Sequence, residues 1–105
     1  MVENRPRIVQ FLPFAERYLK GLSPAEQAMV VADIDDMRKG NFAVVHTKQL
    51  RGSIRELIVG QHRFTYFRLR GTTYFVRGFR KKTAKTPPLE IKYASGIYKI
   101  MKSNT

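Results

Sequence analysis

The side chains best equipped for chemistry in this 105-residue chain are basic, and they crowd together: Arg63, Arg80, Lys81, Lys82 and Lys85, with Glu56 as the nearby carboxylate. There is no cysteine, which excludes disulfides and thiolate metal sites. The two histidines, His46 and His62, lie sixteen positions apart and share no ligand spacing, so neither a metal nor another cofactor is expected. No nucleophilic triad is present. What remains suits phosphodiester cleavage, because its pentavalent transition state gains negative charge that guanidinium groups hold bidentately. RNA also brings its own nucleophile, the 2′-hydroxyl. A protein then has only to align that group, hold charge and move protons. Each well-placed donor is worth roughly 3–4 kcal/mol, and acid–base assistance about 10²–10⁴-fold. Lysine stays protonated to about pH 10 and arginine to beyond about pH 12, so both are weak bases; crowding of cations lowers a lysine, and Glu56 is the carboxylate placed to take a proton. Arg63, Arg80, Glu56 and Lys82 are therefore the expected catalytic set. Lys48, Arg51, Arg55, Arg77, Lys81 and Lys85 are expected to grip the RNA backbone.

The distribution of charge supports an anionic partner. Residues 1–40 hold six Lys/Arg against six Asp/Glu, whereas residues 41–105 hold fourteen against Glu56 and Glu90 alone, which accounts for the whole net charge of +12. Such asymmetry points to nucleic acid, an acidic protein or a membrane surface, the other reading being a solvated basic face. Hydrophobic residues make up 43% of the chain, enough for a packed core. The length fits one domain, 1–105. The first residues show no long apolar run or small-residue cleavage site. No stretch approaches the roughly 18 apolar residues of a membrane span, so the expected location is the cytoplasm.

The elements that must position these groups read as α+β. Residues 7–11 form a short strand and 13–22 a helix, with Phe14, Tyr18 and Leu22 at helical spacing. Ser23-Pro24-Ala25-Glu26 is a sharp start signal, with a capping serine, proline at the first helical position and a glutamate able to close a capping box. That helix runs to residue 39, with Val30, Ile34 and Met37 inward and Gly40 as its stop. Residues 41–52 read as a connector, with at most a short extended piece at 42–45. Three strands follow at 53–59, 62–70 and 73–79, separated by the two-residue turns Gly60-Gln61 and Gly71-Thr72. A basic loop, 80–86, leads to a last helix opened by Thr86-Pro87-Pro88-Leu89-Glu90, with Ile91, Ala94, Ile97, Tyr98 and Met101 inward. The expected architecture is an antiparallel sheet, a short N-terminal strand plus a three-strand meander. Two N-terminal helices lie on one face, and a C-terminal helix completes the fold.

Turn lengths fix the register. Val59 pairs with His62, Leu57 with Phe64 and Arg55 with Tyr66, while Phe64 meets Phe79; with Phe75 this mostly apolar face packs on the first two helices. The opposite face sets Ile58 across from Arg63, Glu56 across from Thr65, and Arg63 across from Arg80. Glu56, Arg63 and Arg80 thus gather near one end of the sheet, an inference that a one-residue slip scatters. Simpler readings stand beside it. Arg63 and Glu56 form a structural salt bridge, or the lysines merely solvate a loop. Tyr66, Phe67 and Tyr74 either stack bases or, more commonly, fill a core. His62 faces the helices and reads as a packed histidine.

The run Leu50-Arg51-Gly52-Ser53-Ile54-Arg55-Glu56-Leu57, continued by His62-Arg63-Phe64-Thr65-Tyr66-Phe67, resembles a known pattern. So does Arg77-Gly78-Phe79-Arg80-Lys81-Lys82-Thr83-Ala84-Lys85-Thr86-Pro87, followed by Glu90-Ile91. Over about residues 48–98 the chain resembles the phage-derived, HigB-like branch of the RelE/ParE toxin superfamily. The resemblance implies a type II toxin that cleaves mRNA, commonly in the ribosomal A site. It also implies a cognate antitoxin, often a helix-turn-helix protein, encoded next door. In the superfamily the arginine of a tyrosine-arginine motif and a basic residue after the last strand hold the scissile phosphate; these fall on Arg63 and Arg80. The chain departs from the pattern at Ile58, where an arginine is usual, and at His62, where a tyrosine is usual. Ile91 stands nearest to where some relatives carry a catalytic tyrosine. Two other functions share the fold: a gyrase poison acting by protein binding, and a non-catalytic RNA- or ribosome-binding module. The free chain is expected to be a monomer, because like-charged basic faces repel.

Overall fold

The structure, a computed structural model, describes residues 7–104; the expectation about the first residues falls in part on 1–6, outside those described. Strand β1 (Ile8–Phe11) leads into helix α1 (Pro13–Lys20), two residues shorter than the apolar spacing suggested. Helix α2 (Pro24–Arg38) begins as the sequence signals. The Glu26 N–H donates to Ser23 Oγ at 3.2 Å, and Glu26 Oε1 accepts from the Ser23 N–H at 3.3 Å. Val30, Ile34 and Met37 are buried on its inner face. After a 3₁₀ turn at Phe42–Val44 come strands β2 (His46–Arg51), β3 (Ile54–Val59), β4 (His62–Leu69) and β5 (Thr72–Arg80), then helix α3 (Pro88–Ser103).

The five strands form one sheet in the order β1-β5-β4-β3-β2. It is mostly antiparallel, as expected, but β1 runs parallel to β5. Strand β2 lies in the segment expected to be a connector, and the 3₁₀ turn replaces the extended piece at 42–45. Its sequence, HTKQLR, lacks apolar alternation because an edge strand is held by main-chain hydrogen bonds and needs little side-chain burial.

The β3–β4 register is the one the turn length dictates, with Val59 across from His62 and Glu56 across from Thr65. The β4–β5 register differs. Its turn is Arg70-Gly71, both at positive φ (50° and 80°), rather than Gly71-Thr72. That moves the pairing by two residues and leaves the faces unchanged. A bulge then returns one, because Tyr66 pairs with Phe75 but Thr65 pairs with Arg77. The net slip of one residue sets Arg63 across from Phe79 and Arg80 across from His62. The expected pairing of Arg63 with Arg80 is therefore corrected: the two arginines leave opposite faces of the sheet.

Both faces are covered. Leu57, Val59, Phe64, Tyr66 and Phe75 pack with Ala15, Val30, Ile34 and Met37 on the α1/α2 side. Ile54, Phe67 and Val76 pack with Ala94 of α3, flanked by Ile97, Tyr98 and Met101. Phe75 and Val76 serve the two cores by ordinary alternation, and the bulge explains how Arg77 then turns toward α3 as Val76 does. Tyr66 and Phe67, at 2% and 0% exposure, are core residues and cannot stack on bases. Among the described residues no helix is long and apolar enough to cross a membrane.

Candidate active site

The loop 81–87 leaves the end of β5, swings around the rim of the sheet and is fastened at both ends. The Lys81 N–H donates to the Gln61 carbonyl (2.7 Å), and the Thr86 hydroxyl donates to Glu56 Oε1 (2.7 Å). Within it the Thr83 hydroxyl donates to the Lys85 carbonyl (2.6 Å). Between loop and rim lies a cleft of about 580 Å³, within the size range of small-ligand sites. Arg63, Arg80, Lys81, Lys82, Lys85 and Glu56 all line it. The slip in register has not dispersed them, because the cleft wraps the sheet's end and collects side chains from both faces. Arg63 Nη1 donates to the carbonyl oxygens of Gly60 (2.8 Å) and His62 (3.0 Å), which fixes the guanidinium beside the β3–β4 turn. The simpler reading of Arg63 as a salt-bridge partner of Glu56 is corrected: among the described residues Arg63 bonds to carbonyls and Glu56 to Thr86. Glu56 is 3% exposed and engaged by Thr86, so it anchors the loop rather than standing open as a base. Five cations facing two carboxylates, Glu56 and Glu90, give the cleft a net positive lining, which is complementary to anions.

A second arrangement meets this cleft from the helix side. Tyr18 of α1 lines it. Tyr18 Oη lies 2.7 Å from Nδ1 of the buried His62, and His62 Nε2 lies 2.7 Å from Glu26 Oε2. The other oxygen of Glu26 accepts from the Ser23 hydroxyl (2.9 Å) as part of the α2 cap. Arg80 Nη2 stands 3.8 Å from Glu26 Oε2. The hydrogen bond from His62, then those from Ser23, hold the Glu26 carboxyl below its usual range. Burial raises the Tyr18 phenol against the pull of Arg80. The sequence signals only part of this: Glu26 as a capping residue, Tyr18 by its helical spacing, His62 as packed. The contacts joining them span 44 and 36 positions of chain.

Four of the expected RNA contacts lie outside the cleft. Lys48, across from Glu56, and Arg51 are exposed on the edge strand β2. Arg55 is on the α1/α2 face, donating to Tyr66 Oη (3.3 Å) and Thr47 Oγ1 (3.2 Å). Arg77 Nε is 3.0 Å from Glu90 Oε1, and its guanidinium carbon is 5.2 Å from the rings of Phe14 and Tyr93. These last two arginines are occupied in holding the fold. Among the described residues, no three His, Asp or Glu side chains are gathered as metal ligands would be.

Comparison with known proteins agrees with the architecture. The family model described as Phage derived protein Gp49-like matches residues 17–99. A chain of the RelBE2 toxin–antitoxin complex from Mycobacterium tuberculosis is similar, with 23% identity and a TM-score of 0.58, over 72% of this chain and 99% of that one. A chain of the archaeal RelE–RelB complex from Pyrococcus horikoshii OT3 has 13% identity and a TM-score of 0.61, over 75% and 99%. One from the RelB–RelE antitoxin–toxin complex of Methanococcus jannaschii has 16% and 0.59, over 68% and 88%. No curated protein is a significant sequence match.

Proposed function

The chain belongs to the phage-derived Gp49-like family and has the RelE-type fold, and from that premise we propose that it is the toxin of a type II toxin–antitoxin pair that cleaves mRNA on the ribosome. The observation that carries this reading is the single cleft in which Arg63, Arg80, Lys81, Lys82 and Lys85 converge from a strand, a strand end and a loop. Their combined positive charge complements a phosphate whose charge grows as the 2′-oxygen attacks phosphorus and the 5′-oxygen departs. Arg63 and Arg80 hold the non-bridging oxygens, approaching from the two faces of the sheet. Lys81, Lys82 and Lys85 bind the flanking backbone, and Lys82 protonates the leaving 5′-oxygen. Glu56, through Thr86, keeps the loop where its lysines face the phosphate. The products are a 2′,3′-cyclic phosphate and a 5′-hydroxyl.

A cognate antitoxin fits the same surface. An acidic segment laid across the cleft would neutralise the cations and occlude the phosphate site together. The test is tightly controlled expression with mapping of transcript 5′ ends. New ends within translated messages, suppressed when the neighbouring frame is co-expressed, are expected. Growth arrest with DNA damage signalling and intact transcripts would assign the chain to gyrase inhibition instead.

A further inference from the structure

We propose that Tyr18 is the proton acceptor in this cleavage, backed by His62 and Glu26 as positioning residues that draw its own proton away. The inference rests on the reading of the cleft as an RNA-cleaving site. The other ionisable groups on the cleft wall are poor proton acceptors. The guanidinium and ammonium groups carry their full complement of protons at neutral pH. Glu56 is buried and already accepts from Thr86, and Glu90 is paired with Arg77. The phenol of Tyr18 is different, because its hydroxyl has a partner behind it that can take a proton.

The geometry of that partnership is close and redundant. Tyr18 Oη to His62 Nδ1 and His62 Nε2 to Glu26 Oε2 are both 2.7 Å. In the neutral imidazole with hydrogen on Nε2, His62 donates to Glu26 and accepts from Tyr18, and both contacts are satisfied by one tautomer. Glu26 is held in turn by the α2 cap, since Oε1 accepts from both the Ser23 N–H and hydroxyl. Three elements, α1, β4 and α2, thus converge on one line of hydrogen bonds that ends in the cleft. The β5 backbone leaves room for it. A Cβ on Gly78 would lie 2.5 Å from Tyr18 Cδ2 and 2.8 Å from Phe64 Cε1, so the phenol ring occupies the space that any other side chain would claim.

The step balances. The 2′-hydroxyl gives its proton to Tyr18 Oη while Tyr18 gives its own to His62 Nδ1. The 2′-oxygen forms its bond to phosphorus and the bond from phosphorus to the 5′-oxygen breaks. That oxygen leaves with the electron pair and takes a proton from the Lys82 ammonium. The imidazolium formed is stabilised by Glu26, as a triad carboxylate stabilises its histidine. Water then restores Lys82, and His62 returns its proton through Tyr18. The charged or titratable groups facing His62 are Tyr18 from α1, Glu26 from α2 and Arg80 from β5.

The test uses the purified full-length chain, a defined message on ribosomes, and three variants. Tyr18→Phe keeps the ring and removes the acceptor; cleavage should fall at least about 100-fold with RNA affinity unchanged. His62→Gln can keep both hydrogen bonds but cannot carry a proton; it should cut at least about tenfold more slowly and lose the acid limb of the pH–rate profile. Glu26→Gln leaves His62 able to take the proton, so it should keep that limb and show a smaller loss of rate. Nitrogen NMR of the wild-type chain, independent of activity, should find hydrogen on His62 Nε2 and none on Nδ1. Tyr18→Phe or His62→Gln cutting within threefold of wild type, or a neutral His62 protonated at Nδ1, would overturn the relay while leaving the nuclease reading intact. A wild-type chain that cuts nothing would end both.

Discussion

Arg63 and Arg80 were legible as a pair because nothing else in the sequence could do the chemistry, yet how they meet was not. The slip in β4–β5 pairing separates them onto opposite faces, and only the cleft around the sheet's end reunites them. Tyr18, His62 and Glu26 are not legible as a group for a different reason. Each has an adequate local explanation, and contacts between residues 44 and 36 positions apart leave no periodic trace. Their charge states make a prediction. The Glu26 carboxyl is held below its ordinary range, so the folded state favours its ionised form. That contribution to stability is present above the ordinary carboxylate range and is lost as pH falls through the lowered value. The Tyr18 phenol is raised, so its contribution is full below the usual tyrosine range of about 10 and is lost as pH rises beyond the raised value. Thermal melts across pH should therefore decline at both extremes. Glu26→Gln should flatten the acid decline alone, and Tyr18→Phe the alkaline decline alone. Identical pH profiles for both variants and wild type would contradict this assignment.

At the scale of elements, the sequence is readable where local chemistry decides and silent where tertiary context does. The Ser23–Glu26 capping box and the inward face of α2 follow from residue types at fixed spacing. Strand β2 does not, because an edge strand needs so little burial that HTKQLR carries no alternation. The bulge near Val76 is equally unmarked, although the turning of both Val76 and Arg77 toward α3 is its consequence. Gly78 shows how tightly β5 and α1 are fitted. Gly78→Ala forces its methyl against the Tyr18 and Phe64 rings, and overpacking of that kind costs about 1–3 kcal/mol. A chain of this size then loses several degrees of melting temperature, about 4–8 °C per kcal/mol. Calorimetry showing an unchanged melting temperature would mean that the ring does not occupy that space.

For the whole molecule, the charge asymmetry correctly marked the C-terminal part as the basic half, but the face it offers is narrower than composition suggested. Helix α3 covers the second face of the sheet, and Arg55 and Arg77 are turned to packing. Lys48 and Arg51 stay exposed on β2 apart from the cleft, and the proposed grip on RNA is the rim, with its five cations. If each neutralises one phosphate of a single strand, the affinity for RNA should fall with salt along a log–log slope of about −3.5, from about 0.7 per contact. Filter binding between low and physiological salt measures it. A slope near zero would mean that the basic rim does not hold the backbone.

The shared phosphate cleft is tested most directly by following cleavage of a defined message on ribosomes by the wild-type chain and by Arg63→Ala and Arg80→Ala. Wild type should yield fragments ending in 2′,3′-cyclic phosphate. Each variant should cut about 10²–10³-fold more slowly and melt within a few degrees of wild type. A message left whole at saturating wild-type chain, or cut as fast by both variants, would contradict it.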